Sequence, residues 1–180
     1  WECTLRCNLA CRHCGSDYRT DPGVKDMPAE DFLRVLDEEV TPHVDPAGVL
    51  VILSGGEVLV RDDLERIGSE IARRGYPWGM VTNGLALTPE RLHGLIRAGL
   101  RTISVSLDGF EREHNRIRRN PASFARAMDA VRHIVREPEL AFDVVTCVTE
   151  PLVPQLEAFR DRLVAEGVRH WRLFSIFPMG

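Results

Sequence analysis

Six short apolar stretches, separated by segments of helical periodicity, run through the 180 residues of this chain. Strands are expected at Trp1–Arg6, Val49–Leu53, Trp78–Thr82, Arg101–Leu107, Phe142–Val148 and His170–Phe174. Between them, a helix opens at Asp26-Met27-Pro28 and runs to about Val40, with Phe32, Leu33, Leu36 and Val40 on one face. A second spans Asp62 to Arg74 and stops at Gly75. A third is capped by Thr88-Pro89-Glu90 and stops at Gly99. Pro121–Arg136 and Val153–Glu166 complete the set, and the Arg-rich segment Phe110–Asn120 reads as a polar loop with at most one helical turn. Consecutive parallel strands need right-handed crossovers. A doubly wound sheet and a TIM-type barrel both satisfy this, but no strand runs into a G-x-G-x-x-G turn. The expected fold class is therefore α/β, a (β/α)6 partial TIM-type barrel with helices covering one side.

The length suits one domain with a hydrophobic core. The chain opens on Trp1 and stops just after the sixth strand, so residues 1–180 are expected to be one core domain within a longer protein. A net charge of -4 gives no polybasic footprint, so nucleic acid is not an expected partner. No apolar run approaches the roughly 20 residues that span a bilayer, so neither is a membrane.

Cysteine usage is the second strong signal. Cys7, Cys11 and Cys14 form a C-x3-C-x2-C pattern in which Asn8, Arg12 and His13 are interleaved, and no strand or helix period buries all three together. Thiolates this close converge on one metal centre without help from distant sequence. Tetrahedral zinc and cubane iron–sulfur clusters take four ligands, so three local thiols leave one position open for chemistry. A zinc knuckle completed by His13, Cys3 or a distant residue is the alternative, which would make the chain a structural or interaction module. Zinc sites are built as a rule from C-x2-C pairs, and the x3-then-x2 order of this run is unusual for them. Four of five cysteines lie in the first fourteen residues, unlike a secreted disulfide framework. Metal-binding thiols imply a reducing compartment, and the cytoplasm is expected.

Every unusual motif falls at the C-terminal end of a strand. Cys7–Cys14 follows the first, Gly55-Gly56-Glu57 the second, Thr82-Asn83-Gly84 the third and Ser106-Leu107-Asp108-Gly109 the fourth. Ligands of parallel α/β folds bind at that end. Taken singly, the Gly-Gly, Asn-Gly and Asp-Gly pairs are common turns. The Glu57 carboxylate at the rim favours ligand contact, and one of Arg112, Arg116, Arg118 and Arg119 suits a ligand carboxylate.

Cys7-x3-Cys11-x2-Cys14, Gly55-Gly56-Glu57 and the Ser106-Leu107-Asp108-Gly109 strand end resemble the radical S-adenosylmethionine (SAM) superfamily. Trp1–Leu9 and Arg172-Leu173-Phe174 with Pro178-Met179-Gly180 are similar to its branch of peptide and protein maturases, which often carry a C-terminal SPASM or twitch domain. The resemblance implies that Cys7, Cys11 and Cys14 hold three irons of a [4Fe–4S] cluster, with SAM on the fourth. It implies that Gly55, Gly56 and Glu57 receive the methionyl amino group, and that Ser106 and Arg118 hold its carboxylate. His13 takes the slot against the adenine, while Asn83 and Asp108 line the pocket. The reduced cluster would cleave SAM to a 5′-deoxyadenosyl radical that abstracts hydrogen from a peptide, protein or small-molecule substrate. A flavodoxin or ferredoxin would supply the electron.

The chain departs from the family at Val58, where proline is common, and at Cys3, where relatives tend to have an aliphatic residue. Cys3 is expected to pack in the barrel, and Cys147, in the middle of the fifth strand, to belong to the core.

Overall fold

The computed structural model describes residues 1–16 and 25–176. The closing segment Phe177–Gly180, and with it Pro178-Met179-Gly180, lies outside the described residues. Six parallel strands form one sheet in chain order: β1 (Glu2–Thr4), β2 (Val51–Gly55), β3 (Trp78–Thr82), β4 (Leu100–Ser106), β5 (Ala141–Val148) and β6 (Trp171–Ser175). Each crossover carries a helix: α1 (Ala29–Val35), α2 (Leu64–Arg73), α3 (Pro89–Arg97), α4 (Glu111–Arg118) with α5 (Ser123–Ile134), and α6 (Leu156–Ala165). The first and last strands do not pair with each other, so the barrel is partial, as the sequence led us to expect.

Register sorts the strand residues into two faces. Leu53 aligns with Met80 and Met80 with Ile103, and these side chains are essentially solvent-free. Val105 and Val144, also fully buried, continue that layer, against which α3 and α5 pack. Alternate residues point the other way because the strand repeat is two. Ser54, Val81, Ser104, Ser106 and Cys147 therefore share a half-buried inner face. One glycine adjusts the packing: a Cβ on Gly68 of α2 would come within 2.2 Å of the buried Trp78 ring. With that space filled by the indole, Trp78 Nε1 donates to the Ala98 carbonyl at 3.1 Å.

Three expectations need correction. Phe110–Asn120 is not a loop with one turn: it holds the eight-residue helix α4, which ends at Arg119 in the left-handed conformation (φ 56). Its inward side is Glu113, His114, Ile117 and Arg118, so the helical period is carried by polar residues and escapes an apolar pattern. Cys147 is not core; it is half-buried on the inner face, whereas Cys3 is fully buried in the core as expected. The first helix gives way at Leu36–Val40 to a wider π-type turn, and the last is preceded by a 3-10 turn at Glu150–Gln155.

Candidate functional site

The cysteine loop is fixed by backbone before any ligand is considered. Gly56 N–H donates to the Thr4 carbonyl at 2.8 Å and Glu57 N–H to the Arg6 carbonyl at 2.9 Å, which carries β1–β2 pairing past the end of the strands. Two glycines permit this approach. A Cβ on Gly55, whose φ is 142, would sit 2.1 Å from the Thr4 carbonyl oxygen, and one on Gly56 2.3 Å from that of Arg6. Asp26 braces the loop from the side, accepting from Thr4 Oγ1 at 2.5 Å and pairing with Arg6. Arg12 N–H donates to the Ile117 carbonyl of α4 at 2.8 Å, so α4 holds the loop's far end.

Within this frame Cys7, Cys11 and Cys14 line one cavity of about 230 Å3. Ser54, Gly55, Gly56 and Glu57 share its lining, as do Thr82, Asn83, Ser106, His13, Arg118 and Cys147. The rim motifs of the sequence thus meet at one place. Burial pushes the Cys7 thiol up to about 11, against the Leu9 N–H that favours its thiolate. Burial raises Cys11 too, with Arg118 opposing. A metal cation binding such thiols displaces their protons to solvent and supplies the charge that offsets the thiolates. Three cysteines in the lining of one cavity are a donor set that fits a metal centre with an open side.

Two buried carboxylates stand on the rim. Glu57, 2% exposed, accepts from Leu59 N–H at 3.1 Å, Thr82 Oγ1 at 2.7 Å and Asn83 N–H at 2.7 Å. Its oxygens clasp the end of β3. Burial raises its pKa despite these donors. Asn83 is similarly engaged: its side chain donates to Asn8 of the cysteine loop at 2.8 Å and accepts from Leu85 N–H at 2.9 Å. Asp108, 1% exposed, accepts from Arg118 Nε at 2.7 Å and from Cys147 N–H at 3.0 Å, with His13 Nε2 at 3.3 Å. Burial opposes its charge, but His13 and Arg118 outweigh that and hold its pKa well below the usual carboxylate range. His13 Nδ1 is buried with no partner among the described residues.

Sequence reasoning missed Cys147 and the support behind Asp108. Strand parity was the available signal for Cys147, since Val145 aligns with Ser106, which puts Cys147 on the same face. His114, fully buried, accepts from Asp108 N–H at its Nδ1 (3.0 Å) and so donates from Nε2 to Ser123 Oγ (2.9 Å). Although His13, Asp108 and Cys147 bring ligand atoms within 4.8 Å of one another, Arg118 already occupies the carboxylate.

The sequence profile of the Radical SAM superfamily matches residues 1–152. The AdoMet-dependent heme synthase of Methanosarcina barkeri is 31% identical over all of this chain and 50% of its own length. The mycofactocin maturase MftC of Mycolicibacterium smegmatis is 29% identical over all of the chain and 44% of its length. The chain thus spans about half the length of these relatives. Among solved structures, Streptococcus suis SuiB bound to its precursor peptide SuiA superposes with a TM-score of 0.81 at 15% identity, over 97% of this chain and 38% of SuiB. The anSMEcpe structure with bound AdoMet gives 0.80 at 16%, over 98% of this chain and 50% of that one. Fold, the three cysteines lining one cavity and the profile agree that this chain belongs to the Radical SAM superfamily.

Proposed function

We propose that residues 1–180 form the core of an enzyme that binds a [4Fe–4S] cluster and S-adenosylmethionine and acts on a peptide or protein. The presence of Cys7, Cys11 and Cys14 in the lining of one cavity, together with the Gly55–Glu57 turn, carries this proposal. When bound, the pair supplies a one-electron route to a carbon radical that removes hydrogen from a substrate. The chain's own residues bind and shield. The three thiolates hold the cluster. The turn at Gly55-Gly56, kept in place by the Glu57 clasp, offers backbone oxygens to the ligand's ammonium group. Ser106 and the N–H groups of Arg118 not used by Asp108 and Cys11 suit its carboxylate. His13 would contact the adenine, and Asn83 and Asp108 would support the pocket through their neighbours.

MftC and the SuiA-bound SuiB support the peptide or protein substrate. The Methanosarcina relative supports a second reading, a small-molecule substrate of the kind used in heme synthesis. A flavodoxin or ferredoxin is the proposed electron donor, and the cytoplasm the proposed compartment. No helix among the described residues is long and apolar enough to cross a membrane. The test is electron paramagnetic resonance of the anaerobically reconstituted, dithionite-reduced protein, with and without SAM. A cubane signal that changes when SAM is added is expected. An iron signal indifferent to SAM, or zinc in place of iron, overturns the assignment.

A further inference from the structure

Arg118 touches two parts of the site at once. Its Nε and Nη2 each lie 2.7 Å from Asp108 Oδ2, while Nη1 donates to the Cys11 sulfur at 3.8 Å. The guanidinium is planar, so two bonds to one carboxylate oxygen also fix where the third nitrogen points. Asp108 has little freedom to turn. Its Oδ1 accepts from Cys147 N–H at 3.0 Å on β5, and its own N–H donates to His114 Nδ1 at 3.0 Å on α4. His114 is in turn held by Ser123 Oγ at 2.9 Å, at the start of α5. Four elements therefore determine the direction of one N–H bond to a sulfur.

We infer that Asp108 is a positioning residue that aims Arg118 at the Cys11 sulfur, and that this donor raises the cluster's reduction potential independently of S-adenosylmethionine. The inference rests on the cluster-binding function proposed above. Hydrogen bonds to sulfur and local net charge are the levers a protein has on such a potential. A cationic donor favours the reduced state, because reduction adds negative charge that is shared with the sulfurs. Arg118 is 9% exposed and little screened by water, so its effect on the sulfur is not diluted.

The sign of one measurement separates positioning from simple charge. Asp108→Asn deletes a negative charge near the cluster, which through space alone moves the potential upward. If Asp108 aims Arg118, the same substitution frees the guanidinium and moves the potential downward. The experiment is a redox titration, followed by electron paramagnetic resonance, of the reconstituted full-length protein without SAM, comparing wild type, Asp108→Asn and Arg118→Gln. Both variants are expected to shift to more negative potential. An upward or absent shift in Asp108→Asn overturns the positioning role, and an unmoved potential in Arg118→Gln overturns the action on sulfur. Should Asp108→Asn fail to fold by circular dichroism, Asp108→Glu, which keeps the charge and displaces the carboxylate, takes its place: a shift to more negative potential is expected, and an unmoved potential overturns the positioning role. A wild-type protein with no cluster signal refutes the proposed function instead, so the two failures are distinct.

Discussion

Glu57 and Asp108 are both buried carboxylates on the same rim, yet their surroundings push them in opposite directions. Glu57 is held by neutral groups, two backbone N–H and one hydroxyl, and burial wins: its proton is held more tightly than usual. Asp108 faces a guanidinium and an imidazole, and together these two partners outweigh its burial. The difference teaches what each group is for. A carboxylate satisfied by dipoles works as a clasp, since the donors hold the geometry whether or not the full charge is present. One paired with a cation is a fixed charge whose partner cannot do without it. Glu57 shapes the turn; Asp108 governs an electrostatic array that reaches the Cys11 sulfur.

The largest expected effect breaks that contrast at its stronger side. Asp108→Ala leaves Arg118 buried without its main partner, and removing one member of a buried pair costs about 3–5 kcal/mol. Glu57→Gln keeps the shape and some of the acceptors, so its cost is about 1–3 kcal/mol, that of one unsatisfied donor. Urea denaturation of both variants beside wild type reads the difference. Equal losses would mean that Arg118 finds another partner and that the two carboxylates do the same job.

Acid sharpens the comparison. Burial, helped by the Arg118 charge, lowers the His114 pKa from 6.5 to about 4. Between those values the unfolded chain is protonated and the folded one is not, so stability rises with pH there. The contribution is complete above the unfolded value and is lost as pH falls towards 4, by about 3 kcal/mol at most. Glu57 works the other way. Its raised pKa means that the folded state takes up a proton before the unfolded one, so its share of stability grows on acidification. Stability followed from pH 7 to 4 is expected to fall less in His114→Gln than in wild type, and more steeply in Glu57→Gln. Parallel curves for all three would refute both assignments.

How much of this was legible beforehand differs by region, and the reason is physical. The apolar strands and helices announced themselves, down to the bounds Trp78–Thr82 and the Thr88 cap, whose Oγ1 accepts from Arg91 N–H at 3.2 Å. The cysteine loop and the glycine turn were legible as well, because each needs particular residue types at fixed spacing. The α4 helix was not. Its buried face is Glu113, His114, Ile117 and Arg118, and periodicity reads apolar residues rather than polar ones that are buried against their own hydrogen-bond partners. Ligand roles were also easier to name than supporting ones. Glu57 as a clasp, and His114 behind Asp108, depend on neighbours 25 and 6 residues away whose approach only the fold reveals. Cys147 was lost for a simpler reason: a cysteine in a strand was assigned to the core without asking which face it was on.

The smallest expected effect tests how α4, the mount of Arg118 and His114, is ended. Arg119 takes φ 56, the one left-handed non-glycine residue among those described, and Asn120 N–H closes the turn onto the Asn115 carbonyl at 3.2 Å. That conformation costs a residue with a Cβ about 1–2 kcal/mol, while glycine loses about 0.5–1 kcal/mol of extra freedom on folding. The balance favours Arg119→Gly by about 0.5–1 kcal/mol, read as a small rise in the denaturation midpoint. The Arg119 side chain is exposed, so its loss removes little packing. A tighter helix end next to Arg118 should leave the cluster's potential where it was, because Asp108, not the helix terminus, sets the guanidinium's direction. A substitution at 119 that moved the potential would shift the positioning role from the carboxylate to the helix cap, and with it the contrast between the two rim carboxylates.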